Sequence, residues 1–336
     1  MSAAVVTFTA AGALDVTYRV HDLRPGELTR ASWCMRELSG KGVNVSTALD
    51  ASGIRTSAVV ILGHDTLDLA GDSPQASFLR VVEAPGATRV NTSVIDSSGS
   101  TTKINAPIDT LPAEVWNRAV EEVVESLDEI GAGWLMLCGS MPQVSDGHDA
   151  SVPADFTRLL DAARHRKVRV GVDSSGAGLR RLVSAPERPD LIKPNTVELA
   201  ELTGRRLTTL GEVADAAREL AADGVGVVFV SMGADGVLAV SGDTVVHAHA
   251  VPPRRANTAG AGDAALAGFL AALLRAEDAG TIDRLIAAAS NAAAYGAHAV
   301  ARSSTLVLDV DDLPQAAATV DPEPETPLSE PAAPSA

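Results

Sequence analysis

From residue 113 onward, apolar runs of strand length alternate with segments whose apolar positions fall three and four apart. The runs are Trp134–Cys138, 168–173, 191–193 and 225–231; the helix-period segments are Ala113–Ile130, 153–166, 196–202 and 212–222. Short apolar strands joined by helices of this length predict an α/β protein. Its central sheet should be mainly parallel, with helices on both faces. Two Ala-rich helices, 264–275 and 282–299, should pack closely after the last strands, and MSAAVVTFTAAGALD reads as a first strand.

The first third has a different rhythm. Residues 14–20, 29–37, 88–96 and 100–105 are strand-like and are separated by Pro/Gly or Ser-Ser-Gly turns. They predict a small antiparallel sheet projecting from the main one as a lid, with strands within about 14–37 and 87–106. The stretch from 319 to 336 is rich in Pro, Glu and Ala and poor in apolar bulk, so it is expected to be a disordered tail on a domain spanning 1–318. On that reading, removing the tail leaves turnover and melting temperature unchanged.

Composition narrows the function. With 336 residues, 46% of them hydrophobic, the chain can bury a full core. No apolar run approaches the roughly 18–20 residues of a membrane span. The N-terminus lacks the basic start of a signal peptide, and two cysteines form no disulfide framework, so the cytoplasm is expected. A net charge of −16 argues against nucleic acid and anionic membranes as partners. An anionic substrate would then depend on local cations. Only four of the 27 basic residues are lysines, Lys41, Lys103, Lys167 and Lys193, and a lysine supplies a compact point charge.

Four segments could carry chemistry. In RRANTAGAGDAALAGF, Gly260, Ala261 and Gly262 lead into Asp263 at the start of a helix. Backbone N–H groups on such a turn can face an anion, with Asp263 as a base beside them or merely an N-cap. In ELSGKGVNVS, Lys41 lies between Gly40 and Gly42, on a turned backbone rather than a helix face, with a helix expected near Ser46. Lys41 and Asn44 suit a phosphate or a sugar hydroxyl, or Lys41 is a solvated loop residue. In DLIKPNTVELAEL, Asn195 and Glu198 lie three apart after Lys193. They could order hydrated Mg²⁺ near nucleotide phosphates or form a capping box. FVSMGADGVLAV, taken alone, is a hairpin.

The order of these segments resembles the ribokinase-like (PfkB) family of carbohydrate kinases over about residues 5–310. ALDVTYRV, LRPGELTR, ATRVNTSVID, TTKIN, LCGSMP and VDSSGAGL are similar to the 1-phosphofructokinase and tagatose-6-phosphate kinase subfamily. The resemblance implies a ribokinase-like fold and transfer of the γ-phosphate of ATP, with Mg²⁺, to a ketohexose phosphate. Fructose 1-phosphate is the leading substrate, ahead of tagatose 6-phosphate and fructose 6-phosphate. The rival readings are a kinase of an unphosphorylated sugar or nucleoside, and a non-catalytic sugar-phosphate sensor. Residue by residue, it makes Asp263 the base and Gly260, Ala261 and Gly262 the anion hole. Asp15, Gly40, Lys41, Asn44, Arg89, Asn105 and Ser140 fall on the sugar-phosphate side. Lys193, Asn195, Ser231, Gly233, Gly236 and Asn291 fall on the nucleotide side, with Glu198 reaching the metal through water. A homodimer through the lid is expected. The chain departs from the subfamily at Ala11-Gly12, Ser39, Ala106-Pro107-Ile108 and Met141-Pro142-Gln143-Val144, all on the sugar side.

Overall fold

A computed structural model of the chain describes residues 3–145, 150–276 and 278–334. Among them, ten strands form the central sheet. Its order is Ala316–Val320, Thr244–Ala250, Val237–Ser241, Val227–Ser231, Leu191–Ile192, Arg169–Asp173, Trp134–Cys138, Val5–Thr9, Thr56–Gly63 and Leu79–Ala84. The seven from Val227–Ser231 to Leu79–Ala84 are mutually parallel; the other three extend the sheet antiparallel. Separate apolar clusters pack on its two faces. One gathers Trp116, Val123 and Leu127 of helix Ala113–Ile130 with Leu159 and Val213, the other the helices Ala261–Arg275 and Thr281–Val300. A parallel sheet covered on both faces is what continuous apolar strand runs require.

The boundaries follow the sequence periodicity closely. Trp134–Cys138 and Ala113–Ile130 fall where expected, and the two Ala-rich helices span Ala261–Arg275 and Thr281–Val300. Their close packing has a cause at Gly268, where an added Cβ would lie 2.8 Å from Asn291 O and 2.7 Å from Tyr295 Cγ.

The lid is a four-stranded sheet in the order Trp33–Ser39, Ala13–Arg19, Val90–Ile95, Thr101–Asn105. Its two hairpins are antiparallel as expected, but the pair joining them, Ala13–Arg19 with Val90–Ile95, is parallel. Each strand of that pair follows a parallel strand of the main sheet, Val5–Thr9 or Leu79–Ala84, and both therefore leave the C-terminal ends of the parallel strands.

The tail differs from its expected disorder. Ala316–Val320 closes one edge of the main sheet, and Pro327–Ala332 pairs antiparallel with Leu207–Thr209. Leu328 and Ala332 are buried in the main core. The carbonyls of Pro324 and Thr326 accept from the N–H groups of Gly211 and Leu210, at 2.9 Å each. Those donors belong to the first turn of helix Leu210–Ala222, where backbone N–H groups lack partners within the helix. Average composition hid this docking. Two apolar anchors suffice, and proline is tolerated in a short edge strand. Truncation after Val320 is therefore expected to lower the melting temperature by several degrees, since a buried leucine is worth about 1.5–3 kcal/mol. An unchanged calorimetric transition would show that the segment does not dock.

Candidate active site

The C-terminal ends of the parallel strands Arg169–Asp173 and Leu191–Ile192 deliver two charges, Asp173 and Lys193, to the start of helix Ala261–Arg275. Asp173 is fully buried. Its Oδ1 accepts from Lys41 Nζ at 2.7 Å and pairs with Lys193 Nζ at 3.3 Å, while Oδ2 is buried without a hydrogen-bond partner. Asn44 Nδ2 donates to Asp263 Oδ2 at 2.8 Å. Two lysines, two aspartates and an asparagine thus converge from four separate parts of the chain.

Lys41 reaches this cluster from a helix, not from a loose turn. The helix runs Lys41–Ala51, starting five residues before the expected Ser46. The glycines around Lys41 serve close packing. Cβ atoms added at Gly40 and Gly42 would lie 2.7 Å from Thr9 Cγ2 and 2.5 Å from Thr9 Oγ1. Their absence lets the helix sit on strand Val5–Thr9, where Gly42 N donates to Thr9 Oγ1 at 3.0 Å. Lys41 and Asn44, three apart on one helix, then face the same side.

At the opposing helix, Gly260 has φ 78°, and an added Cβ would lie 2.2 Å from Thr305 O. Only glycine fits there. Gly262 differs: it lies in the first helical turn, and its Cβ would meet only Lys193 Nζ, at 3.5 Å. Backbone packing does not demand glycine at 262. The helix start and the Lys193 ammonium are neighbours here, and an anion would be attracted by both.

The electrostatics are those of a poised base. Burial, then the nearby Asp173 carboxylate, pushes Asp263 up to about 6, against Lys41, Lys193 and the Asn44 hydrogen bond, which favour its ionised form. Burial alone would lower the Lys41 ammonium. Asp173, Glu198 and Asp263 outweigh it and hold Lys41 above its ordinary value. The same burial and carboxylates push the Cys138 thiol well up, so it stays neutral.

On the lid side, Arg89 donates from Nε to Gly12 O (3.2 Å) and from Nη2 to Ala11 O (3.1 Å). The Ala11-Gly12 departure therefore forms the backbone bracket that orients this guanidinium. Burial lowers Arg89 and Asp15 opposes the shift, yet among the described residues no carboxylate lies at ion-pair distance from it. Asp15 Oδ1 accepts from Asn91 Nδ2 at 3.0 Å, and Asn91 stands opposite Asn105 in the strand register. Lys41 is grouped with Asp173, Lys193 and Asp263, whereas the charged neighbour of Arg89 is Asp15. Ser140 follows strand Trp134–Cys138, where Gly139 N donates to Asp173 O at 2.8 Å.

On the other side, Asn195 and Glu198 form a reciprocal capping box, Asn195 N to Glu198 Oε2 at 2.9 Å and Glu198 N to Asn195 Oδ1 at 2.8 Å. That alternative is realised, though the carboxylate still acts electrostatically on Lys41. Asn195 also bridges to Ser231, and Ser231 N donates to Pro194 O at 3.1 Å. Two motifs 36 residues apart thereby become one surface. Gly233 and Gly236 have φ 59° and 84° in the turn after Ser231. Asn291 donates its side-chain amide to Gly268 O at 2.7 Å, so that donor serves the packing of the two Ala-rich helices.

Sequence reasoning assigned no role to Asp173, the hub of the cluster. Its signal was available, as a carboxylate ending an apolar strand in VGVDSS. Asn257 was also missed. It is buried, accepts from Ala259 N at 3.0 Å and donates to Ser303 O at 3.3 Å, fixing the turn that precedes Gly260.

Comparison with known proteins identifies the family. The pfkB family carbohydrate kinase model matches residues 6–305. The chain belongs to that family and is a phosphotransferase with an alcohol group as acceptor. It is 36% identical to a 1-phosphofructokinase of Rhodobacter capsulatus, covering 86% of this chain and 90% of that one. It is 30% identical to 1-phosphofructokinase of Escherichia coli K12, over 96% and 99% of the two chains. Among solved structures, the tetrameric inhibited form of phosphofructokinase-2 from Escherichia coli superposes with a TM-score of 0.73 at 28% identity, covering 88% of this chain and 93% of that one.

Proposed function

We propose that the protein is an ATP-dependent sugar-phosphate kinase acting as a 1-phosphofructokinase, converting fructose 1-phosphate to fructose 1,6-bisphosphate. The observation that supports this most is the buried Asp263 carboxylate, held by Asn44 beside an open helix start and two lysines. Asp263 accepts the proton of the attacking sugar hydroxyl. The backbone N–H groups of Gly260 to Gly262 and the Lys193 ammonium stabilise the charge on the transferring phosphoryl group. Asp173 takes the hydrogen bond of Lys41 and the ion pair of Lys193, while burial and then the Asp173 charge lift Asp263 to about 6 against the pull of both lysines. Arg89, with no carboxylate at ion-pair distance among the described residues, supports a substrate that already carries a phosphate, as does the 1-phosphofructokinase activity of the relatives.

The nucleotide is assigned to the surface joining Asn195, Ser231, Gly233 and Gly236. No group of three metal-ligating side chains occurs among the described residues. Mg²⁺ would supply charge neutralisation on the phosphates when bound, and Glu198 is the residue assigned to reach it through water. Exposed Trp33, Tyr18 and Ile104 support a homodimer through the lid. We assign the reaction to the cytoplasm; no helix among the described residues is long and apolar enough to cross a membrane.

The test is ADP release measured with fructose 1-phosphate, fructose 6-phosphate, tagatose 6-phosphate, fructose and no acceptor. Fructose 1-phosphate is expected to give the highest kcat/KM. Preference for a free sugar would overturn the proposal. The pH profile gives a second check. Because Asp263 must be ionised to accept a proton, kcat/KM should fall on the acid side of about pH 6, approaching about tenfold per pH unit. A rate flat down to pH 5 would contradict the role given to Asp263.

A further inference from the structure

Pro327–Ala332 does more than cover a core edge. Ser329 N and Ser329 Oγ both donate to the carboxylate of Asp235, at 2.8 and 2.6 Å. Asp235 ends the short helical turn Gly233–Asp235, directly before Gly236. The Asp235 carbonyl is held separately, 2.7 Å from His247 Nε2 on strand Thr244–Ala250. This turn is therefore tied on one side to the main sheet and on the other to the C-terminal segment. Its tip, Gly233 and Ala234, is exposed. The same segment pairs with Leu207–Thr209 and packs against helix Thr196–Thr203, the helix capped by Asn195. One strap thus touches both motifs of the proposed nucleotide surface. The whole segment lies beyond residue 305, where the family match ends.

We propose that this C-terminal strap positions the nucleotide loop, with Ser329 as a positioning residue that acts through Asp235 to hold the 233–236 turn ready for ATP. This rests on the assignment of that turn to the nucleotide. The turn closes on its own backbone through Met232 N to Gly236 O (2.9 Å) and Asp235 N to Met232 O (3.0 Å), and the tethers fix how that closed turn sits on the sheet; order present before binding does not have to be acquired during it. The two hydrogen bonds to one carboxylate fix its direction, and charge-assisted bonds are the stronger kind. Removing the hydroxyl leaves the backbone N–H bond in place, so the change at Ser329→Ala is partial. Ser329→Glu places a second carboxylate against the first and should open the tether fully.

The experiment measures KM for ATP, KM for the sugar phosphate and kcat in Ser329→Ala, Ser329→Thr, Ser329→Glu and Asp235→Ala, alongside each melting temperature. The expected result is a rise of about three- to tenfold in the KM for ATP for Ser329→Ala, larger for Ser329→Glu and Asp235→Ala, and recovery in Ser329→Thr. The sugar KM and kcat should stay within about twofold. A strap that only stabilises the fold would lower the melting temperature and leave the ATP KM unchanged in all four variants. That outcome overturns the proposal. Hydrogen exchange of the wild-type protein with and without ADP separates the two levels of inference. If ADP slows exchange at 232–237 and the variants keep their ATP KM, only the strap's role fails. If ADP does not slow exchange there, the assignment of the loop to the nucleotide fails as well.

Discussion

Replacing Asp263 with asparagine is expected to lower kcat by about 10²–10⁴, with a modest change in the KM of either substrate. The substitution keeps the side-chain volume and an oxygen that can accept from Asn44 Nδ2, so the cluster should remain assembled. What it removes is the ability to take up a proton. Stability should not fall with activity. Burial raises the folded pKa of Asp263 to about 6, above that of the unfolded chain. A carboxyl shifted in this direction contributes stability at low pH, and the contribution is lost as pH rises through about 6. Asparagine carries no such penalty, so at pH 7–8 the variant should melt at or above the wild-type temperature, a trade of stability for function. Near-wild-type turnover would reduce Asp263 to a helix cap.

Two of the site's three cations, Arg89 and Lys41, should fail in different ways. Arg89→Ala is expected to reduce kcat/KM for fructose 1-phosphate by about 10- to 150-fold, since hydrogen bonds to charged groups contribute roughly 1.5–3 kcal/mol and each 1.36 kcal/mol is a factor of about ten. That loss should appear mainly in the sugar-phosphate KM, leaving the ATP KM unchanged. Lys41→Ala should cost a similar factor but mainly in kcat. Its ammonium bonds Asp173 at 2.7 Å and acts on Asp263, so the proposal assigns it to the reacting centre. Removing it also takes away one cation that favours the ionised base, and the acid limb of the pH profile should move upward. If Arg89→Ala raises the ATP KM and spares the sugar's, the placement of the substrate phosphate is wrong.

What was legible in the chain was whatever is encoded locally. The strand Trp134–Cys138 and helix Ala113–Ile130 could be read from periodicity because burial on one or two faces imposes it directly. The helix start at Gly260 to Asp263 could be read because a glycine-rich string leading straight into an apolar run marks it locally. Lys41 was found as a residue but misread in its surroundings. The glycines beside it looked like backbone freedom, whereas they permit contact with Thr9, 31 residues earlier at Gly40. Asp173 was hidden for the same reason. Its partners, Lys41 and Lys193, are 132 and 20 residues away, and only the strand order brings them together. The strap shows how composition misleads. Its prolines and glutamates suggest disorder, while docking depends on Leu328, Ala332 and the backbone carbonyls of residues 324 and 326.

Direct detection of the product tests the central claim most closely. Phosphorus NMR of the wild-type protein with ATP, Mg²⁺ and fructose 1-phosphate should show ADP and a second phosphomonoester appearing together, in equal amounts, on the same sugar. Asp263→Asn at the same concentration should show neither on that timescale. If ATP is consumed with release of inorganic phosphate and the sugar keeps a single phosphate, or if fructose is phosphorylated faster than fructose 1-phosphate, phosphoryl transfer to a sugar phosphate at this site is contradicted.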